Sequence, residues 1–433
     1  MRYQQALLLP VFAGVLCAGC RKEQANGAPG ITILQPAEFA SVALPDTLMV
    51  TVQAQDDHGL VQVAVTLLDA NGIPVVATAS ASASGTSATR TIALPIVSEQ
   101  LESGPYKLLA TAYDGELAGK DYRSIHISAV PLRVRMVFTL AAPQPGTVDL
   151  YRTDSTGQTV LAASFSMDLG GAAVSSLAQR LYVAGAATGP MWALLPDQLG
   201  TAWQLPNLSS IGAPWFTSVD LCADGRVYVG QDDGTLRGYT AANGTGGSVA
   251  HLSPGFRATR CATVGDLLVS TQRHFVNQEN RLGIHFRLSG SLVQEQPLDV
   301  DPVGLYVRDA EHVLVFGNRN GQGRLLDRTL VGGGTWEAYV WPQPITAVAA
   351  VGSQSWLVAL ADGGLQRFTY GGSGAVPLGS TPVLSTLAFD AVNGWVYGGT
   401  GFQVLRIDPG SGATEAAWMV NGPVLRVLPL LNR

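Results

Sequence analysis

Charge is scarce in this chain. Only 13% of its 433 residues are charged, and the formal net charge is -6. No Lys/Arg-rich block exists to neutralise phosphates, which excludes nucleic acid as the main partner. Past residue 20 no apolar run is long enough to span a bilayer. There are four cysteines; only Cys17 and Cys20 have CxxC spacing, at the end of the N-terminal apolar stretch, and no His-rich spacing exists, so neither a disulfide-dense scaffold nor a metal centre is indicated. The catalytic motifs are missing too. There is no His-Glu-x-x-His, no Gly-rich phosphate loop after a strand, and no Gly-x-Ser-x-Gly elbow. The stretch from Gly371 to Ala375 lacks the last glycine of that elbow and reads as a turn. The six histidines (His58, His126, His251, His274, His285, His312) are scattered. The sequence therefore assigns no catalytic residue, no cofactor and no metal. The clearest acid on an inner strand is Asp220, with Asp299 and Asp301 on one loop as further candidates for acid/base or calcium chemistry.

What the chain has is glycine, 50 residues of it, and a repeat of about 43 residues running from Leu132 to the end. Each copy carries an apolar strand, a Gly/Asp turn and a second short strand. Compare Arg180-Leu-Tyr-Val-Ala-Gly, Arg226-Val-Tyr-Val-Gly-Gln, Asp266-Leu-Leu-Val-Ser-Thr, His312-Val-Leu-Val-Phe-Gly, Trp356-Leu-Val-Ala-Leu and Trp395-Val-Tyr-Gly-Gly-Thr. A strand-only repeat of this length predicts a β-propeller, and about seven copies fit residues 131–433. Inner strands are predicted near Val174, Phe216, Arg260, Val303, Ile345, Val383 and Val424. The run from Val424 has no second strand after it, and the repeat beginning at Val134 lacks an inner strand. The C-terminal strand is thus expected to complete the first blade and close the ring, leaving no open edge.

Residues 31–130 lack the repeat. They carry short alternating strands at Leu48–Ala54, Val61–Leu68, Thr91–Leu94, Tyr106–Tyr113 and Ser124–Ser128, with turns at Asp56 to Gly59 and Asp69 to Gly72. About seven short strands in about 100 residues predict a two-sheet sandwich. The turn Asp56/Gly59, then Gly104-Pro105-Tyr106 and Ala112-Tyr113-Asp114, resemble bacterial Ig-like modules. That resemblance implies a tyrosine-corner role for Tyr106. Asp56, Asp57, Asp69 and Asp114 read as turn formers, with calcium binding as the alternative if their loops meet. The Ala/Ser-rich run from Ala77 to Ser87 reads as an exposed hairpin or loop.

The N-terminus has the layout of a targeting segment: Arg2, then an apolar stretch from Ala6 to Leu16. Its end, Leu16-Cys17-Ala18-Gly19-Cys20, resembles a bacterial lipoprotein signal, with Cys17 where Leu is usual. The resemblance implies removal of residues 1–19, acylation of Cys20, and a tether over 20–30. Arg21 after the cysteine implies the outer membrane. Cys222 and Cys261 would remain on the inner strands of adjacent repeats, as either a disulfide or two buried thiols. Several repeats resemble those of pyrroloquinoline-quinone-like propellers. The resemblance lies in Asp233-Gly-Thr-Leu-Arg-Gly-Tyr239 and in the strand pair from Val404 to Trp418. The quinone enzymes of that superfamily use a vicinal disulfide; no adjacent cysteine pair exists here, which argues against quinone binding. Eight-bladed outer-membrane assembly lipoproteins share these repeats, while this chain has one blade fewer and an added Ig-like domain.

The expected fold is all-β: an Ig-like sandwich followed by a seven-bladed β-propeller. Two neighbouring loops, Thr271 to Arg281 and Gly317 to Arg324, are long and basic. With Trp215, Phe256 and Trp341 they suggest a binding patch of Trp215, Phe256, Arg273, His274, Arg319 and Trp341, suited to a sugar ring or a peptide. The opposing reading packs each Trp between blades and leaves the arginines as a solvated rim. The function expected is a membrane-anchored envelope lipoprotein binding a protein or glycan. The alternatives are a scaffold subunit of an outer-membrane assembly complex, and a hydrolase or lyase acting on an extracellular polymer.

Overall fold

The computed structural model describes residues 26–209, 213–372 and 374–433. The signal segment, Cys20 and most of the tether lie outside the described residues. The chain divides into two compact units, ending at Pro131 and beginning at Leu132. Among the described residues all regular elements are strands, and no helix is long and apolar enough to cross a membrane.

The first unit is two sheets. One has three strands, Gly30–Gln35, Asp46–Gln55 and Ser87–Ile96; the other has five, in the order Ala40–Ala43, Ala118–Ser128, Gly104–Tyr113, Gln62–Leu68, Ala79–Ser82. Strict alternation builds the core between them. Val50, Val52 and Ala54 of one strand are fully buried, while Met49 points to solvent. A single cluster with Val63, Val65, Leu67, Leu108, Ala110, Ile125 and Ile127 fills the interior. Part of the Ala/Ser run is ordered: Ala79–Ser82 pairs with Gln62–Val65 as a short edge strand. The Tyr106 hydroxyl donates to the Glu102 carbonyl at 3.2 Å, four residues upstream. The acids of the turns bond their own backbone. Asp56 accepts from the amides of His58 and Gly59, Asp69 from Asn71 and Ile73, and Asp114 from Glu116 and Leu117. The two amides at Asp114 hold its carboxyl below the usual range. These carboxylates act as turn formers, stabilising chain reversals through local hydrogen bonds.

The second unit is a β-propeller. Seven four-stranded antiparallel sheets are described, and we number them in chain order. Their innermost strands are Val424–Leu431, Leu169–Ser175, Phe216–Leu221, Phe256–Val264, Asp301–Val307, Ile345–Gly352 and Thr386–Asp390. The first belongs to a sheet whose other members are Val134–Gln144, Thr147–Thr153 and Thr159–Phe165, so the C-terminal strand completes the first sheet as its isolation in sequence predicts. The predicted inner strand at Val383 is displaced. Val383 is exposed, and the strand starts at Thr386, after Leu384 has turned into the core.

Each sheet packs on the next through its own apolar cluster. The clusters join first to second sheet through Phe138 and Leu181, second to third through Tyr182 and Phe216, third to fourth through Tyr228 and Leu268, and fourth to fifth through Ile284 and Val315. They continue from fifth to sixth through Phe316 and Trp356, sixth to seventh through Leu357 and Leu405, and back to the first through Val404 and Val427. The ring is thus closed by hydrophobic contact at every joint. Closure also hydrogen-bonds what would otherwise be an exposed sheet edge.

Candidate functional site

Hairpin connectivity puts two kinds of loop on the same rim of the ring. One kind precedes each innermost strand; the other joins the second and third strands of a sheet. In the fourth sheet these are the segment entering Phe256 and the loop between Leu267–His274 and Asn280–Phe286. They meet, and the residues there form one compact corner.

That corner is organised around His274. Its Nδ1 accepts from the amides of Val276 and Asn277, at 3.2 and 3.3 Å, and its carbonyl accepts from the Gln278 amide at 3.1 Å. The Gln278 side chain donates to the Phe275 carbonyl, and Asn277 Oδ1 accepts from the Glu279 amide. From the neighbouring loop, the Gly255 carbonyl accepts from the Phe275 amide at 3.0 Å. Gly255 is obligatory in two ways. Its φ is +82°, and a Cβ there would sit 2.4 Å from His274 Nε2.

The rings pack in a fixed order. Phe275 stacks on His274 with centroids 5.4 Å apart, and the Arg257 guanidinium lies 4.8 Å from the Phe275 centroid. Phe256 meets His274 edge-to-face at 5.0 Å, while the Arg281 guanidinium lies over the Phe256 ring, 4.1 Å from its centroid. Arg257 pairs with Asp232, and Arg281 with Glu279 and Glu295. The hydrogen bond from Arg281 holds the Glu279 carboxyl below the usual range. The result is a rigid loop tip presenting Phe275, 52% exposed, and Val276, 69% exposed.

The structure divides the predicted patch. Arg273 and His274 are on this rim, with Arg273 bonded to Asp301 at 3.3 Å. Arg319 lies in the next sheet, paired with Asp299 and with Glu337, which also holds Arg324. The two acids of that loop, Asp299 and Asp301, are therefore counter-ions of neighbouring arginines. Phe256 is 3% exposed and Trp341 fully buried, so neither offers a stacking surface. Phe256 is closed over by His274 and Arg281. Trp341 ends the outermost strand of the fifth sheet, where Tyr339, Phe368 and Phe316 enclose it at 4.7, 5.7 and 6.0 Å. Trp215 is half-buried against the second-to-third-sheet cluster, so the two tryptophans belong to different joints. Cys222 and Cys261 are free thiols with sulfurs 3.6 Å apart, buried between the third and fourth sheets. Burial pushes the Cys261 thiol well above its ordinary value.

Sequence reading missed Phe275 and Val276, although both lie inside a loop it singled out. Two apolar residues bracketed by His274 and a polar run from Asn277 to Asn280 are the signal that marks them.

The innermost strands enclose a cavity of about 720 Å3, to which all seven contribute. Its charged lining residues are Asp220, Arg260 and Arg426. One carboxylate, Asp220, and no histidine line it. Among the described residues no group of three or more His, Cys, Asp or Glu side chains is placed to hold a metal ion.

No family profile matches the chain, and no curated protein does. Solved structures do match it. The WD40 β-propeller domain of Doa1 is 12% identical with a TM-score of 0.48, over 61% of this chain and 86% of that one. Hydrazine synthase of Kuenenia stuttgartiensis is 10% identical with a TM-score of 0.49, over 68% and 98%. BamB from Moraxella catarrhalis is 17% identical with a TM-score of 0.38, over 57% and 74%.

Proposed function

We propose that this chain is a lipid-anchored envelope protein of a bacterial outer membrane. In this reading an Ig-like sandwich carries a seven-bladed propeller that captures a protein partner at the Phe275–Val276 tip. The observation that carries the binding role is the construction of that tip. The half-exposed Phe275 ring is held by the His274 ring stacked on it, by the Arg257 guanidinium and by a set of loop hydrogen bonds. A pre-ordered anchor loses little entropy on association, which is what concentrates binding energy in a few residues. A protruding tip fits a pocket on a folded partner. A glycan instead calls for a flat or concave aromatic platform, and burial of Trp341 and Phe256 removes the one the sequence suggested.

The Ig-like assignment rests on the three- plus five-stranded pairing, the parallel contact of Ala40–Ala43 with Ile125–Ser128, and the Tyr106 hydroxyl bonded four residues back. The count of seven blades rests on the seven described four-stranded sheets and the apolar joints between them. Lipidation at Cys20 and the outer-membrane address rest on the sequence alone. The test is a pull-down from envelope extract, run beside a glycan panel, with wild type and Phe275→Ala. A protein retained by wild type and lost by the variant supports the reading. A glycan bound by wild type and lost by the variant replaces the protein partner with a sugar, and no difference between the two proteins overturns the site. Labelling with radioactive palmitate, abolished by Cys20→Ala, tests the anchor separately.

A further inference from the structure

The central cavity holds an imbalance that the protein-binding rim does not explain. Its charged residues come from three different innermost strands: Asp220 from the third sheet, Arg260 from the fourth, and Arg426 from the C-terminal strand that closes the ring. Two cations face one anion. Asp220 is already engaged, since its Oδ2 accepts from the Cys261 amide at 3.1 Å and its Oδ1 lies 3.6 Å from Arg260. Arg426 makes no ion pair among the described residues. The one hydrogen bond recorded for its side chain, at 3.0 Å, goes to the carbonyl of the adjacent Leu425. Burial pushes Arg426 down to about 10, and the like charge of Arg260 adds to that while Asp220 opposes it. Burial likewise pushes the Asp220 carboxyl up, with Arg260 opposing.

The same two arginines line a smaller recess of about 180 Å3 with Thr217, Ser218 and Thr259. The hydroxyls of Thr217 and Ser218 are buried without a hydrogen-bond partner, each 2.7 Å from where a Cβ on Gly230 would sit. Buried hydroxyls without a partner, beside a half-buried guanidinium with no counter-ion of its own, are costly alone. A ligand oxyanion that accepts from the Arg426 and Arg260 guanidinium groups offsets the cost of the two cations. A guanidinium fork suits a carboxylate or a phosphate equally, and a low-dielectric channel strengthens the attraction.

We propose that the propeller channel is a binding site for a small oxyanion, a carboxylate or a phosphate, held between Arg426 and Arg260. The site is independent of the Phe275 tip. Bound anion competes with Asp220 for Arg260.

Isothermal titration of the purified protein with sodium succinate and, separately, inorganic phosphate tests this, with glycerol as the neutral control. Saturable binding of at least one anion and none of glycerol is expected. Succinate alone identifies a carboxylate site and phosphate alone a phosphate site. Arg426→Gln should weaken binding at least tenfold, and Arg426→Lys should restore part of it. Asp220→Asn should tighten binding several-fold by removing the competing carboxylate, a gain that a damaged fold does not produce. Neither anion saturating would overturn the proposal. So would Arg426→Gln binding like wild type in a protein of unchanged melting temperature. Unchanged affinity in Asp220→Asn would overturn the competition.

Discussion

Two joints of the ring solve one packing problem with opposite chemistry. Between the fifth and sixth sheets the filling is aromatic: Phe316, Trp341, Trp356 and Phe368, with Tyr306 and Tyr339 at the margin, all within ring-contact distance of one another in a connected set. Between the third and fourth sheets an apolar cluster that includes Leu236, Leu252 and Phe256 is joined by small and polar groups. Cys222 and Cys261 sit there with Tyr228 and Leu268. On the same alternating face of the fourth sheet come Ser270, Gln272 and His285, all with no exposure. His285 Nε2 lies 3.3 Å from the His251 carbonyl across the joint, and Gln272 donates to Ser270. Gly283 makes room, because a Cβ there would meet the Gln272 amide at 1.8 Å. Aromatic area stabilises a joint without needing partners, whereas a polar joint holds only while its hydrogen bonds are made and its ionisable group stays neutral. The aromatic joint should therefore be sensitive to truncation and the polar one to pH.

Truncation should give the larger effect. Trp341→Ala is expected to lower the unfolding free energy by about 3–5 kcal/mol, as for other buried Trp deletions, read as a fall in denaturation midpoint. A loss below about 1 kcal/mol would mean that the indole is not a packing element. Next comes the Phe275 tip. Phe275→Ala should cost about 2 kcal/mol of partner affinity and leave the melting temperature unchanged, since the ring is half exposed. Gly255→Ala should cost about 1–2 kcal/mol of stability through its positive φ and also displace His274, so that affinity falls together with stability.

The polar joint gives a smaller, pH-dependent effect. Burial holds the His285 imidazole below its ordinary value of 6.5. Above that value the ring is neutral folded and unfolded and contributes no pH dependence. As pH falls below it, the unfolded chain takes up the proton first and stability declines. His285→Gln should flatten the melting-temperature profile between pH 7 and 5 relative to wild type. Parallel profiles would show that the ring titrates freely. The smallest signal is chemical. Both thiols are buried between the third and fourth sheets, and the Cys261 thiol, at least, is pushed up, so iodoacetamide should label Cys222 and Cys261 only after denaturation. Rapid labelling of the native protein would show that this joint opens.

The strand repeat made the ring legible because alternation and Gly/Asp turns are local properties. The segments beginning at Arg180, Arg226, His312 and Trp395 each start a second strand of a sheet. Closure by Val424–Leu431 was legible for the same reason, since a strand lacking its hairpin partner must pair elsewhere. The site was less so. Trp341 and Trp215 stand beside loops in the sequence, and only the twist of the sheets decides that Trp341 turns into a joint while Phe275 turns out. The acids Asp299 and Asp301 were visible as a pair, but their engagement by Arg319 and Arg273 depends on two sheets meeting. Arg426 carried no signal at all, because the two charged residues that line the channel with it, Arg260 and Asp220, are more than 160 residues away in sequence.

The central claim is that the Phe275 tip touches a protein partner, and site-specific photo-crosslinking in the native envelope tests it most directly. A photoreactive residue would be placed at position 275, and in a second protein at Leu288, which is 74% exposed in a loop on the opposite rim of the same sheet. A discrete crosslinked protein from position 275 and none from position 288 is the predicted result. The same adduct from both positions, or an adduct from position 288 alone, would contradict it.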